Sequence, residues 1–491
     1  MNSTMIQFFH WYTDGNSQLY EHIKNSADYL NDLGIDHVWF PPAYKSAGGG
    51  YSVGYDPYDL FDLGEFDQKG SVPTKYGSKD QYLEAIKSLK EKNINVIVDI
   101  VLNHKAGGDD KERFQAIKVD EENREKSISD VLEIESYTKF TFPGRGKKYS
   151  DFEWTFSCFS GVDFAEGREK GIYRIINDFG NDWDQMINNE KGNYDFLMYN
   201  DIEHRSSFVR EELNRWGKWY QKTTDFDGVR LDAVKHISHD FYKEWLQLLR
   251  SNSQKNIFAV GEYWSPGQLP LLQKYIEYTE GCMSLFDSSL QHNFHIASQE
   301  GNTCDMRQIF NETLTLTDPE HSVSLVDNHD TQPLQALEAP VEKWFKPLAY
   351  ALILLREKGF PCVFYPDLFG ANYTDKDKEG NDQEIILDKV EKIEELLKAR
   401  KNFAYGNQKD YFDSANILGW VREGNNEHEG CAVVLSNKDS GEIAMEMGRD
   451  YSKKTFCDYL GWFEDKVTID ANGWGNFPVP AGNVSVWVVE D

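Results

Sequence analysis

The chain has 491 residues, enough for two to four domains or one large barrel with attachments. Its 52 basic and 82 acidic residues leave a formal charge of −30, and such a surface repels phosphate backbones and anionic lipid. Nucleic acid and membranes are therefore excluded as expected partners, whereas a neutral substrate and a divalent cation fit the balance.

Aromatic residues make up 14% of the chain, including 13 Trp and 26 Tyr, which suits both a large core and a cleft for the apolar faces of sugar rings. No segment reaches the ~20 apolar residues that span a bilayer. Met1 to Thr4 lead directly into a strand-like run with no basic flank or long apolar stretch. The six cysteines (158, 282, 304, 362, 431 and 457) show no CxxC spacing. Together these features predict a reducing, cytoplasmic setting, with a trimmed secreted chain as the alternative.

In chain order, short apolar runs at 5–11, 37–41, 95–102, 228–234, 257–262, 282–287, 322–327 and 361–365 read as strands. Amphipathic stretches at 19–33, 81–92, 208–222, 241–250, 269–278 and 341–358 read as helices between them. Eight buried strands alternating with helices predict an α/β fold, a (β/α)8 TIM barrel. The polar stretch after the third strand is too long for a structureless loop and predicts an inserted domain. A further helix is expected at 384–401, followed by short alternating segments (417–422, 431–435, 484–489) that predict a C-terminal antiparallel β-sandwich. The expected division is 1–104 and 206–401 for the barrel, 105–205 for the insertion and 402–491 for the β domain. Trp462, Trp474 and Trp487 are expected to pack that last domain rather than bind ligand.

Barrels gather function at the carboxyl ends of their strands. Four stretches put chemistry there: 99–104 (DIVLNH), 228–236 (GVRLDAVKH), 261–264 (GEYW) and 326–330 (VDNHD). Alternation along a strand turns Arg230 and Asp232 to the same side. A charge pair inside a barrel is costly unless paired or useful, so a plain structural ion pair is the competing reading. Arg230 would keep Asp232 ionised, as a nucleophile requires. Glu262 sits beside Tyr263 and Trp264, where desolvation raises a carboxyl pKa and suits a general acid. Asp330, next to His329, adds a third carboxylate at the same end. Paired carboxylates in an aromatic cleft point to glycoside cleavage, with a separation of about 5–5.5 Å in retaining enzymes.

In order and spacing, the four stretches resemble the four short motifs of the α-amylase family of glycoside hydrolases. The likeness extends to 51–66, 142–146 and 193–199, and it is strongest toward the bacterial liquefying and intracellular members. The resemblance implies Asp232 as nucleophile, Glu262 as acid and then base, and Asp330 as stabiliser of the transition state. It implies sugar contacts from Tyr55, His104, Arg230, Lys235, His236, Trp264 and His329. It also implies one structural Ca²⁺ held by Asn103, Asp195, Asp201 and the backbone carbonyl of His236. A further cation cluster, which Asp184 would serve, is disfavoured because Ser160 and Glu203 stand where that subgroup has aspartates. The expected activity is endo-acting, retaining hydrolysis of internal α-1,4 bonds in starch- or glycogen-like glucans by a monomer. Two readings compete with it: a maltooligosaccharide-preferring or product-specific hydrolase or transglycosylase, and an inactive glucan-binding scaffold.

Overall fold

The computed structural model describes residues 2–490. Eight parallel strands close a barrel in sequence order: Met5–Gln7, His37–Trp39, Asn95–Ile100, Gly228–Leu231, Phe258–Gly261, Ser284–Phe286, Ser322–Leu325 and Phe360–Phe364. Nearly every strand residue is buried, as expected when helices cover one side and side chains fill the other. The first helix, Leu19–Leu33, shows how the outer ring attaches: Leu19, Ile23, Ala27 and Leu30 recur at helical spacing on its buried face. It stops at Gly34, whose φ of +80° closes the helix in a conformation that costs glycine little.

The polar stretch after the third strand folds as a six-stranded sheet in the order His104–Lys105, Asn200–Ile202, Phe159–Val162, Ile172–Ile175, Asp110–Val119 and Leu132–Lys139. Its pairings are antiparallel. Because His104 both ends the third barrel segment and pairs with Asp201, the insertion is bonded to the barrel at its catalytic end.

Beyond the barrel, a second six-stranded antiparallel sheet is faced by a two-stranded antiparallel sheet of Gly441–Glu446 and Trp474–Val479. Val434, Met445, Phe456, Phe477 and Trp487 fill the space between these layers. Of the three tryptophans, Trp487 is fully buried in that core and Trp462 packs against the barrel's core cluster. Trp474 departs from expectation, since 40% of its surface remains exposed.

Two sequence readings are corrected. The helix expected over 384–401 divides: Asp382–Leu387 pairs with Ala371–Lys376 as a hairpin, and only Ile393–Asn402 is helical. The ladder of the partner strand captures residues whose local pattern also suits a helix. The helix expected over 341–358 is confined to Lys346–Leu354, with Pro347 in its first turn. Several strands also end earlier than their apolar runs, because the last apolar residues leave the ladder to form the loops of the site.

Replacing Trp487 by Ala should cost about 3–5 kcal/mol in the C-terminal layers. Chemical unfolding followed by far-UV circular dichroism should show the earlier transition.

Candidate active site

The parallel register sets Arg230 beside Asp99 on the neighbouring strand. The guanidinium is almost wholly buried and holds three carboxylates: Nη1 donates to Asp99 Oδ1 at 3.0 Å and to Asp232 Oδ1 at 2.6 Å, and Nη2 to Glu262 Oε2 at 2.6 Å. Asp99 is further held by Trp39 Nε1 and the Tyr55 hydroxyl, each 2.9 Å from Oδ2. One cation thus stands among three acids, and their electrostatic balance sets their ionisation.

Burial pushes the Glu262 carboxyl up to about 8; the Asp330 and Asp232 charges push the same way, against Arg230. Asp330 is raised to about 7, first by burial, with Asp232 and Asp99 adding to it. Both values favour protonation near neutrality, whereas Asp232 receives the short hydrogen bond of the guanidinium. Glu262 and Asp232 thus stand in unlike surroundings, the condition under which two like groups take different chemical roles.

Ala233 follows Asp232 with φ +48° and ψ +38°, a left-handed conformation disfavoured by about 1–2 kcal/mol for a residue with a Cβ. The turn lets Ala233 N–H donate to Glu262 Oε2 at 3.2 Å, while Val234 N–H donates to the Glu262 carbonyl at 3.1 Å. The strain is local to the residue that follows Asp232 and donates to Glu262.

Around this centre Tyr55 stacks on His329 at 4.9 Å and on Trp11 at 5.9 Å, with near-parallel rings. His329 Nε2 lies 3.4 Å from Asp330 Oδ2. Asn328 Oδ1 accepts the N–H groups of Asp330 and Thr331, both at 2.9 Å, which fixes the turn presenting Asp330. His104 Nε2 contacts the Tyr55 carbonyl at 2.9 Å.

Tyr55, His104, Arg230, Asp232, Glu262, His329 and Asp330 thus come together as the sequence suggested. Lys235 and His236 lie farther toward the insertion: Lys235 pairs with Glu190 at 2.6 Å, and His236 Nδ1 meets the Tyr194 carbonyl at 2.6 Å. Trp264 is half-buried against the core. Sequence reasoning gave no role to Asp99, although it opens the first of the four stretches, and passed over Trp39 and Trp11. Asp99 could have been found, since an acid inside an apolar strand needs a partner; Trp11 could not, because nothing in its local pattern separates it from core.

The residues expected to hold calcium lie beside this centre. Asn103 Oδ1 is buried without a hydrogen-bond partner, and Asn103 Nδ2 donates to Asp201 Oδ1 at 3.3 Å. Burial raises Asp195 to about 8, with Asp184 adding to it, and burial together with the Asp195 charge raises Asp201 well above the carboxylate range. Uncompensated buried oxygen donors of this kind fit a hard cation. Glu203 does not share that need: Arg205 grips it through Nε at 2.7 Å and Nη2 at 2.6 Å. Among the described residues no three His, Cys, Asp or Glu side chains form a metal cluster. The candidate set therefore rests on two carboxylates plus amide and backbone oxygens.

Comparison with known proteins is extensive. Residues 19–443 match the family described as alpha amylase, catalytic domain, and residues 432–488 match alpha-amylase C-terminal. The chain is 50% identical to the cytoplasmic alpha-amylase of Escherichia coli, covering 100% of this chain and 99% of that one. It is 45% identical to an alpha-amylase of Geobacillus stearothermophilus, covering 99% of this chain and 87% of the relative. A glucan 1,4-alpha-maltohexaosidase of a Bacillus species is 43% identical, over 99% of this chain and 92% of its own length. Among solved structures, an Anoxybacillus alpha-amylase superposes with a TM-score of 0.66 at 16% identity, covering 99% and 97% of the two chains. That likeness concerns the fold.

Replacing Arg230 by Gln leaves Asp99, Asp232 and Glu262 without their shared cation. Breaking a buried pair costs about 3–5 kcal/mol. Asp99 and Glu262, already raised by burial, lose the cation that lowers them and rise further above their unfolded values. The variant's deficit is therefore smallest at acidic pH and grows as pH rises. Urea unfolding at pH 5 and pH 8 should show the larger loss at pH 8.

Proposed function

This chain belongs to the α-amylase family of glycoside hydrolases, and from that membership we propose how its own residues carry the reaction. The activity is endo-acting hydrolysis of internal α-1,4 bonds in starch- or glycogen-like glucans. The observation that supports the assignment of residues best is the single guanidinium gripping both Asp232 and Glu262. Two carboxyls on one guanidinium are close neighbours, as in the short spacing of about 5–5.5 Å used by retaining enzymes.

In this reading ionised Asp232 attacks the anomeric carbon while Glu262 gives its proton to the departing glycosidic oxygen. The bond from anomeric carbon to that oxygen breaks as the ester to Asp232 forms. Glu262, now a carboxylate, takes a proton from water, whose oxygen displaces Asp232 and restores both groups. Arg230 holds Asp232 in place through Oδ1 and orients Glu262 through Oε2. Asp330, held by Asn328, meets the positive charge that develops on the sugar, and Tyr55, His104 and His329 surround that ring. Lys235, His236 and Trp264 belong to more distant sugar contacts.

Members of the family commonly bind calcium. Here Asn103, Asp195, Asp201 and the His236 carbonyl would hold one ion, which supplies charge neutralisation where barrel and insertion meet, not a chemical step. The Arg205–Glu203 pair argues against a second cation beside it. We assign 1–104 and 206–401 to the catalytic barrel, 105–205 to the insertion and 402–491 to the C-terminal unit, working as a monomer. A cytoplasmic location rests on the name of the Escherichia coli relative. No helix among the described residues is long and apolar enough to cross a membrane. The relative named for maltohexaose release favours product specificity as a second reading.

A time course on soluble starch, following iodine colour against reducing ends, should show colour lost while few ends have appeared. Glu262→Gln should abolish both changes, a loss of at least about 10²-fold. Persistence of colour while reducing ends rise would move the assignment to an exo-acting or dextrin-preferring enzyme. Because Glu262 must carry its proton, kcat/KM should fall as pH rises through about 8. Chelation should lower Tm, and calcium at about 100 times its Kd should restore about 2.7 kcal/mol. Asp201→Asn should abolish that response.

A further inference from the structure

The loop that presents His329 and Asp330 runs on into a turn held by residues outside the catalytic centre. Leu334 in that turn has φ +70°, a left-handed conformation that a side chain with a Cβ disfavours. Such a residue persists only where its surroundings fix the chain on both sides. Before it, the Tyr373 hydroxyl donates to the Pro333 carbonyl at 2.9 Å. After it, Gln335 Nε2 donates to the Tyr12 hydroxyl at 2.8 Å. Gln332 Oε1 accepts the Trp11 N–H at 3.0 Å.

Tyr373 lies on the hairpin of Ala371–Lys376 and Asp382–Leu387, which follows the eighth barrel strand. Among the described residues this hairpin pairs with no other strand, and a lone two-stranded hairpin is marginally stable in water. Its side chains must therefore anchor it. Alternation turns Tyr373 and Asp375 to one face, and Asn372, Thr374 and Lys376, all exposed, to the other. The Tyr373 ring is buried and stacks on Tyr12 at 3.9 Å. Asp375 Oδ2 accepts the Tyr12 hydroxyl proton at 2.7 Å. Tyr12 thus donates to the hairpin and accepts from the Asp330 loop, so three loops of the barrel rim meet at one phenol.

These contacts fix different things. Trp11 also stacks against Tyr55 and His329, so its bond to Gln332 ties the loop to the aromatic group around the catalytic centre. Trp11 and Tyr12 reach the loop through the side chains of Gln332 and Gln335, whereas Tyr373 reaches its backbone at the strained turn. A catalytic group has to be held within about 0.5 Å by the residues that support it, and a misplacement of about 1 Å can cost 10²-fold in rate.

We propose that Tyr373 is a positioning residue for the hydrolysis: through the Pro333 carbonyl and the Tyr12 ring it clamps the turn that keeps Asp330 in place against the sugar. This role rests on the assignment of Asp330 to the transition state. Its loss acts on turnover rather than on binding, because a displaced Asp330 forfeits an interaction made chiefly in the transition state.

Steady-state kinetics on soluble starch and hydrogen exchange of the free, full-length protein test the clamp, with wild type, Tyr373→Phe, Tyr373→Ala, Thr374→Ala and Asp330→Asn. Tyr373→Phe keeps the stacked ring and loses only the hydroxyl. It should lower kcat about three- to tenfold, with KM within about twofold of wild type. Tyr373→Ala should lower kcat further, by at least about tenfold. Thr374→Ala, on the exposed face of the same strand, should match wild type in both constants. In both Tyr373 variants peptides covering 328–341 should exchange faster, while those from the barrel strands keep their wild-type rates. Tyr373→Phe decides by itself if Tyr373→Ala does not fold. Faster exchange at 328–341 with kcat unchanged would leave Tyr373 a structural residue and overturn the proposal. Unchanged exchange, or an equal loss in Thr374→Ala, would overturn it as well. Full activity in Asp330→Asn would instead overturn the assignment of Asp330, a failure that the exchange rates distinguish from failure of the clamp.

Discussion

One buried guanidinium organises the centre of this molecule. Arg230 sits inside a barrel of apolar strands, where an isolated charge is prohibitively costly, and it is tolerated only because Asp99, Asp232 and Glu262 surround it. The dependence runs both ways, since without Arg230 the three acids would be the uncompensated charges. Neighbouring strands must therefore hold their register, because a slip of one residue along the fourth strand turns Arg230 away from Asp99 and out of the interior.

The same interaction makes two chemically identical groups unlike. Asp232 lies under the guanidinium at a hydrogen-bond distance of 2.6 Å. Glu262 receives the other nitrogen, but its burial and the nearby Asp330 and Asp232 charges outweigh that contact and favour the proton. Function follows from a difference in surroundings of a few ångströms. The strained turn at Ala233 belongs to this arrangement, because it brings the backbone N–H next to Asp232 round to Glu262.

Around that centre the structure repeats one device: charge buried only in company. Lys346 lies between Asp327 and Asp367 at 2.7 and 2.5 Å, just behind the loop carrying His329 and Asp330. Glu203 is held by Arg205, whereas among the described residues no arginine or lysine hydrogen bond reaches Asp195 or Asp201. That contrast separates a carboxylate paired with an arginine from two that are not.

Much of this was legible in the sequence. Apolar runs that alternate with helical periodicity determined the barrel, because strands buried on both sides must be apolar throughout. Charged residues interrupting those runs marked the strand ends at Arg230, Asp232, Glu262 and Asp330, because such interruptions are expensive without a purpose. What local pattern could not determine was pairing. The sequence suits Glu384–Leu387 to a helix as well as to a strand, and only the hairpin partner at Ala371–Lys376 decided between them. It named Arg230 as a neighbour of Asp232 but not as the shared partner of Asp99 and Glu262, which come from the third and fifth strands. It could not separate Trp11, drawn to the site, from His10, which lines a cavity with Tyr365 from beyond the eighth strand. Periodicity records which face of an element is buried, whereas what a side chain meets there depends on strands hundreds of residues away, and closure of the barrel brings them together.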